Sequence, residues 1–423
     1  MAQSTIPDSA VASCLDCVLS NPRVARFAAV RINHPMLATL AVANYRSLRS
    51  LLMPLRRLNL VTGANGTGKS SVYRALRLLA DCARDSGVVP ALAREGGLDS
   101  TLWAGPENFS RAMRRGEQPV QGTLRNDPVS LKLGFAGDDF SYSIEMGLPT
   151  PSASAFAGDP QIKRECLWHG PSFRPAALLV DRRNVTVRIK GDDSEWRMVT
   201  TALSPFDSMM SQLADPRSAP ELLLLREQIR SWRFYDHFRT DADAPARLPQ
   251  IGTYTPVLGH DGADLAAALM TIGEIGDGRA MAVAVADAFP GASINMQYQG
   301  GRVVVAMQQH GLLRPLLAAE LSDGTLRYLL WIAALLTPRP PALLVLNEPE
   351  TSLHPDLLPA LGRLIAQASA NTQVLVVSHA QQLISTLATN PECQTLRLEK
   401  ELGETRIANI GKFDLPTWHW PPR

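Results

Sequence analysis

An α/β fold is what the sequence predicts, and three observations carry the prediction. A glycine-rich loop, Gly63-Ala64-Asn65-Gly66-Thr67-Gly68-Lys69-Ser70, stands between an apolar run and a stretch with helical periodicity. Residues 325–377 alternate helix-like and buried-strand patterns, the mark of a parallel sheet with helical crossovers. Between these ends lie antiparallel hairpin signals, and no heptads are sustained over many turns.

Residues 1–35 show no sustained period and read as a poorly ordered or non-native extension, with Met36 a candidate start. A strand is expected over Leu37 to Ala43, a turn around Arg46, and a second strand over Leu58 to Thr62. Val72, Leu76, Leu79 and Ala83 predict a helix from Lys69 to about Arg84. Hairpins are expected at 129–148, at 184–199 around Gly191-Asp192-Asp193, and at 293–308 around Gly300-Gly301. Residues 206–290 change to helical runs such as Glu221 to Phe238. A helix over Thr325 to Leu336, a strand over Ala342 to Leu346, a helix over Pro355 to Ala370 and a strand over Gln373 to Val377 complete the chain.

Length and composition bound the function. The 423 residues suffice for two or three domains at ~150 residues each, and 45% hydrophobic content excludes disorder for the bulk of the chain. A formal net charge of +2 argues against a histone-like nucleic-acid binder, so a charged partner has to be met by a local patch. Five cysteines, an odd number, point to reduced thiols and a cytoplasmic location. Cys14 and Cys17 form a lone CxxC without a second pair, weak support for zinc. The longest apolar stretch, Tyr328 to Leu336, falls far short of the ~20 residues of a membrane span, and the N-terminus lacks the basic region of a secretory signal.

Gly63 to Ser70 matches G-x-x-x-x-G-K-[ST] in full. Its glycines let backbone N–H groups turn toward a polyphosphate, the helix N-terminus adds its positive dipole end, Lys69 can reach the β- and γ-phosphates, and the Ser70 hydroxyl can hold Mg²⁺. The plainer reading is a glycine-rich turn capping a helix, with Ser70 facing solvent.

The apolar run Ala342 to Leu346 delivers Asn347-Glu348-Pro349-Glu350 at its end, where open α/β sheets bind ligand. Asn347 stands where an Asp usually organises Mg²⁺. Glu348 is the favoured general base, Glu350 a second candidate, and a strand end with solvated acids the plainer reading. Leu321-Ser322-Asp323-Gly324-Thr325 precedes an apolar helix, so Ser322 and Gly324 can form a second anion site; alone they would be an ordinary helix cap. Val376-Val377-Ser378-His379 ends a buried strand with an imidazole that can touch a γ-phosphate.

In this order the motifs resemble the ABC-type ATPases of the RecF and structural-maintenance-of-chromosomes class. Gly63 to Ser70 is similar to their Walker A, Asn44-Tyr45-Arg46-Ser47 to the strand-turn upstream of it, Leu321 to Thr325 to their signature, and Asn347-Glu348 to their Walker B. Ser352-Leu353-His354-Pro355 is similar to their D-loop and His379 to their switch histidine. In the combination of Leu321 to Arg327, Asn347 to Pro355 and the tail Trp418-His419-Trp420-Pro421, the chain more closely resembles the RecF-like AAA-family ATPases of bacteria that lack a long coiled coil.

The resemblance implies a P-loop NTPase head split into residues 36–205 and 291–423, with antiparallel hairpins and a helical lobe at 206–290 inserted between. It implies ATP and Mg²⁺ as cofactors, held by Gly63, Ala64, Asn65, Gly66, Thr67, Gly68, Lys69, Ser70 and Ser71 with Arg46, and by Ser70 and Asn347 for the metal. It also implies an ATP-dependent homodimer in which Ser322 and Gly324 of one copy cap the γ-phosphate held by the other. Lys69, Glu348 and His379 are the implied catalytic groups and slow ATP hydrolysis the implied reaction. Asp323, where transporter-type signatures have Gly, and Asn347 are departures that bear on hydrolytic rate; Gln212 is the candidate Q-loop glutamine.

RecF-like function implies DNA repair or genome maintenance, with DNA as partner. The candidate contacts are Arg46, Arg49, Arg56 and Arg57; Arg111, Arg114 and Arg115; and Arg226, Arg230, Arg233 and Arg239, each group also readable as a solvated face. Two other readings stay open. One is a nucleotide-gated binding module that scarcely hydrolyses, and the other the ATPase half of a defence or toxin system acting through a second protein.

Overall fold

The computed structural model describes residues 36–422 apart from 85–86, 122–128, 150–155, 157, 192, 214 and 412. The N-terminal extension, including Cys14 and Cys17, and Asp192 of the second hairpin turn lie outside the described residues.

Two large sheets organise the chain. The first is antiparallel, in the order β2-β1-β4-β5-β6-β7-β8-β9. Its strands are β1 (Leu37–Tyr45), β2 (Leu48–Pro54), β4 (Leu131–Gly137), β5 (Phe140–Gly147), β6 (Gln161–His169), β7 (Leu178–Arg183), β8 (Thr186–Lys190) and β9 (Trp196–Thr200). The second has the order β10-β14-β15-β3-β16-β17, from β3 (Leu58–Gly63), β10 (Arg233–Tyr235), β14 (Leu343–Asn347), β15 (Gln373–Val377), β16 (Cys393–Glu401) and β17 (Glu404–Ile407). All its pairings are parallel except the β16–β17 hairpin. A small third sheet joins β11 (Ser293–Gln299), β12 (Arg302–Gln308) and β13 (Leu316–Leu317).

The central strands are apolar throughout because both faces are covered. Val61, Leu343, Val345, Leu375 and Val377 face one core, shared with helix α1 (Lys69–Asp81) and the antiparallel sheet. Leu58, Leu60, Leu344, Leu346, Val374 and Val376 face the other. That second core is built with α3 (Leu265–Ile275), α4 (Gly278–Ala288), α5 (Asp323–Leu335) and α6 (Leu358–Ala368). Helix α1 is thereby sandwiched between the two sheets. The remaining longer helices are α2 (Pro220–Ser231) and α7 (Gln381–Ala388).

Several expectations need correction. β2 was not foreseen, nor were β6 and β7, whose sequences carry Arg164, Glu165, Asp181 and Arg182. These charges are buried but paired: Arg182 meets Glu165 at 3.1 Å and Arg164 meets Asp181 at 2.9 Å. Glu165 also accepts from the Tyr142 hydroxyl and the Met209 N–H. A polar pattern that would face solvent in a lone strand is thus satisfied inside the sheet. The run Glu221 to Phe238 is not one helix. α2 ends at Ser231, and residues 233–235 become β10, parallel to β14 in the central sheet, so the segment read as a helical lobe contributes an edge strand to the head.

The tail Trp418-His419-Trp420 lies on the antiparallel sheet. Trp418 stacks on Trp168 with ring centroids 5.5 Å apart, and Lys132 lies over Trp420. A Cβ on Gly134 would come within 2.8 Å of the Trp418 ring, so glycine is what lets the indole seat there. The described cysteines are all free, and burial pushes the Cys166 thiol up to about 12 and the Cys393 thiol up to about 11. Among the described residues no helix is long and apolar enough to cross a membrane.

Candidate functional site

Strands β14, β15 and β3 are neighbours and run parallel, with Asn347, Val377 and Val61 in register. Their C-terminal ends therefore open on one edge of the sheet, and from that edge emerge Asn347-Glu348, Ser378-His379 and the loop Gly63 to Ser70. Three motifs far apart in sequence meet there because a parallel sheet aligns strand ends.

The loop is held by its glycines and by a strand that sequence reading did not connect to it. Gly63, Gly66 and Gly68 have φ of +149°, +78° and +101°. Thr405 of β17 donates from Oγ1 to the Thr67 carbonyl at 2.8 Å, its Oγ1 lies 2.8 Å from Ser47 Oγ, and its N–H donates to the Ser47 carbonyl. A Cβ on Gly68 would lie 2.3 Å from Thr405 Oγ1. Ser47, at the end of the turn Asn44 to Ser47, and Thr405 thus clamp the loop from behind. A threonine in a hairpin carries no motif signal, so only the fold reveals it.

Lys69 is buried, and its ammonium donates to the carbonyls of Gly63 (2.7 Å) and Ala64 (3.0 Å) across the loop. Ala64, Asn65, Gly66 and Ser70 are exposed along the mouth, and Ser71 is half-buried beside them. Arg46 is engaged elsewhere: it adopts φ +49° and its guanidinium donates to Glu95 at 2.7 Å, a carboxylate it shares with the Tyr45 hydroxyl. Burial lowers the Arg46 pKa, and the bonds to Glu95 and Tyr45 outweigh it and hold the pKa above its ordinary value. Arg46 therefore shapes the turn behind the loop.

At the β14 end, Glu348 has a left-handed backbone (φ +49°) and its N–H donates to the Val377 carbonyl at 2.8 Å. That strained turn aims its partly exposed carboxylate off the sheet edge. His379 Nδ1 lies 3.7 Å from Glu348 Oε1 and 3.5 Å from Glu350 Oε1, bringing the proposed base and imidazole together. Glu350, the second candidate base, is set deeper than Glu348. It is buried, and its Oε1 accepts from Ser378 Oγ (2.7 Å) and the N–H groups of His379 (2.9 Å) and Ala380 (3.2 Å). Through these three bonds Oε1 of Glu350 fixes the His379 loop, while its Oε2 is buried without a hydrogen-bond partner.

Mg²⁺ fits this edge. Asn347 Oδ1 is buried without a hydrogen-bond partner, an acceptor that a cation or its bound water would satisfy, and Ser70 stands exposed in the first turn of α1. Replacing Asn347 by Asp adds a full charge to that donor set and is expected to tighten Mg²⁺ binding roughly tenfold, about 1.4 kcal/mol. The Mg²⁺ dependence of binding of a fluorescent ATP analogue measures this, and a curve superimposable on that of the wild type would mean that Asn347 does not face the ion.

Ser322 caps α5, its Oγ accepting from the Thr325 N–H at 3.2 Å. No hydrogen bond or ion pair joins Ser322 or Gly324 to the phosphate loop of the same chain among the described residues. Their neighbours are instead the turn after Glu350: a Cβ on Gly324 would lie 3.4 Å from the Ser352 carbonyl, and Ser352 itself is left-handed (φ +60°). Arg327 links the two, donating from Nη1 to the Thr351 carbonyl (3.0 Å) and from Nη2 to the Phe238 carbonyl (2.9 Å), and Trp331 donates to the Pro349 carbonyl. Burial lowers the Arg327 pKa, opposed by the Asp323 charge. Gln212 is exposed at the end of a short helix, Met209–Gln212, with no bond to the loop.

A family model described as "AAA domain, putative AbiEii toxin, Type IV TA system" matches residues 58–385. No curated protein matches. Among solved structures the chain is similar to an SmcHead bound to the C-winged helix domain of ScpA, at 13% identity and a TM-score of 0.45, covering 88% of this chain and 97% of that one. It is also similar to the SMC head domain from Thermotoga maritima, at 14% identity and a TM-score of 0.40, covering 89% and 99%. A third is the Smc head domain with an extended coiled coil bound to the C-terminal domain of ScpA derived from Pyrococcus furiosus, at 10% identity and a TM-score of 0.43, covering 88% and 96%. Because the family match spans the phosphate loop, Asn347-Glu348 and His379, all borne on one edge of a parallel sheet, the chain belongs to that AAA-domain family.

Proposed function

We propose that this protein binds ATP with Mg²⁺ in the loop Gly63 to Ser70, closes on a second copy that presents Ser322 and Gly324, and hydrolyses the nucleotide slowly to separate the pair. The observation that carries this reading is a division. Phosphate loop, Glu348 and His379 share one sheet edge, whereas exposed Ser322 and half-buried Gly324 start a helix with no bond to that loop among the described residues.

In this reading Lys69 exchanges its loop carbonyls for phosphate oxygens, and the backbone N–H groups of residues 66–70 hold the remaining charge. Glu348 accepts a proton from the attacking water, and His379, hydrogen-bonded within the Glu350-anchored loop, faces the γ-phosphate. Ser70 and Asn347 would hold the Mg²⁺, whose charge offsets that of the β- and γ-phosphates. The test is sizing in ATP and in ADP together with phosphate release, with and without duplex DNA. A dimer in ATP, monomer in ADP and slow release are expected. A lasting ATP dimer with negligible release would favour the nucleotide-gated binding module. A monomer in both without release would sink the proposal.

A genome-maintenance role extends this reading through the RecF-like resemblance. The arginine groups are largely engaged locally: Arg46 with Glu95, Arg49 with Glu404, Arg115 with Glu117, Arg226 and Arg230 with Glu227, and Arg239 with Asp241. DNA contact is therefore assigned to the surface created when two heads close. The family description favours a second reading, the ATPase component of a toxin–antitoxin or defence system working through another protein. A co-purifying protein in place of nucleic acid, captured on an ATP-locked variant, would select it.

A further inference from the structure

Asp323 is where the signature-like loop departs from glycine. It sets a carboxylate between Ser322 and Gly324, the two residues that, on the sandwich reading above, must receive the γ-phosphate of the other copy. An uncompensated negative charge there would repel the anion. The fold supplies the compensation from a distant part of the chain.

Arg247 closes a short 3₁₀ turn, Pro245–Arg247, packed against the turn Ala318–Glu320 that leads into the loop. Its side chain is 8% exposed, against 63% for Asp323. Nη2 donates to Asp323 Oδ1 at 2.5 Å and to the Thr240 carbonyl at 2.8 Å. Nη1 donates to the Leu321 carbonyl at 2.7 Å and reaches those of Ala318 and Ala319 at 3.2 and 3.3 Å. Nε reaches the carbonyls of Thr240 and Asp241, each at 3.0 Å. Every nitrogen of the guanidinium is engaged, and four of its acceptors lie within the six residues Ala318 to Asp323, immediately before and within the signature-like loop. A planar fork with fixed donors can do this; a lysine ammonium cannot reach both sides of the junction at once.

We propose that Arg247 is the positioning residue of the signature loop: it cancels the charge of Asp323 and pins the Leu321 carbonyl, so that Ser322 and Gly324 are preset for a phosphate held by the other copy. The inference rests on the ATP-sandwich reading and adds to it the device that makes an acidic signature workable. It also gives the segment around 240–247 a role: movement there would be transmitted to the γ-phosphate cap through one side chain.

The test uses the full chain in a Glu348→Gln background with ATP and Mg²⁺. Adding Arg247→Ala is expected to weaken ATP-dependent dimerisation at least tenfold by light scattering. Affinity of the monomer for a fluorescent ATP analogue should change less than twofold, because Lys69 and its loop are untouched. Adding Asp323→Asn to Arg247→Ala should recover part of the dimer by removing the stranded carboxylate, which a merely structural role would not produce. Arg247→Lys should fall between, and it carries the test if the alanine variant melts at a temperature too low to measure. Dimerisation of the arginine variants equal to that of Glu348→Gln alone, or no recovery with Asp323→Asn, overturns the role of Arg247 while leaving the sandwich intact. Failure of Glu348→Gln itself to dimerise overturns the sandwich and this inference with it.

Discussion

In the Glu348→Gln protein, phosphate release is expected to fall by about 10²–10⁴-fold, the usual range for loss of a general base, while ATP binding persists. The amide keeps the size of the side chain beside His379, whose Nδ1 lies 3.7 Å away in the wild type. It loses the basicity needed to take a proton from water. The left-handed turn at 348 and its bond to Val377 are backbone features, so the substitution leaves the sheet edge as it is. The ATP-bound closed form should therefore accumulate and be seen as a dimer by sizing. Turnover within twofold of the wild type would remove Glu348 from the chemistry.

The Lys69→Ala protein is expected to lose ATP affinity by about 100-fold or more, at least about 2.8 kcal/mol. Lys69 is buried at the mouth of a loop whose other contacts are backbone dipoles, so it is the one full positive charge the loop offers to a triphosphate. The shape of the loop should survive, because Thr67 Oγ1 still donates to the Ala64 carbonyl and Thr405 still clamps the Thr67 carbonyl. An unchanged melting temperature alongside lost binding of a fluorescent ATP analogue is the expected pair of results. Unaltered affinity would count decisively against the site.

Periodicity and turn chemistry were good guides where local sequence decides the structure. Strand β15 runs over Gln373 to Val377 as read, the hairpins at 131–147, 186–200 and 293–308 turn where glycine and aspartate ask them to, and helix α1 begins at Lys69, ending at Asp81 a few residues short of the expected bound. Local pattern misleads where partners distant in sequence override it. Glu165 and Arg182 make β6 and β7 look polar, and only their mutual burial turns them into core. Three residues after Trp232 become a strand because β14 offers them an edge.

The site divides in the same way. Lys69, Ser70, Glu348, Ser322, Gly324 and His379 could be listed from the sequence because a phosphate loop, a strand-end acid and a capped helix each leave a local spacing pattern. What the tertiary structure alone decided is how they are held and which belong together. Parallel pairing of β14, β15 and β3 gathers the loop, Glu348 and His379 on one edge and leaves Ser322 to α5. Thr405 and Arg247 fix the parts in place, and neither has a motif, because a hydrogen bond to a carbonyl hundreds of residues away, or to one in another turn, imposes geometry on the fold and no spacing on the chain.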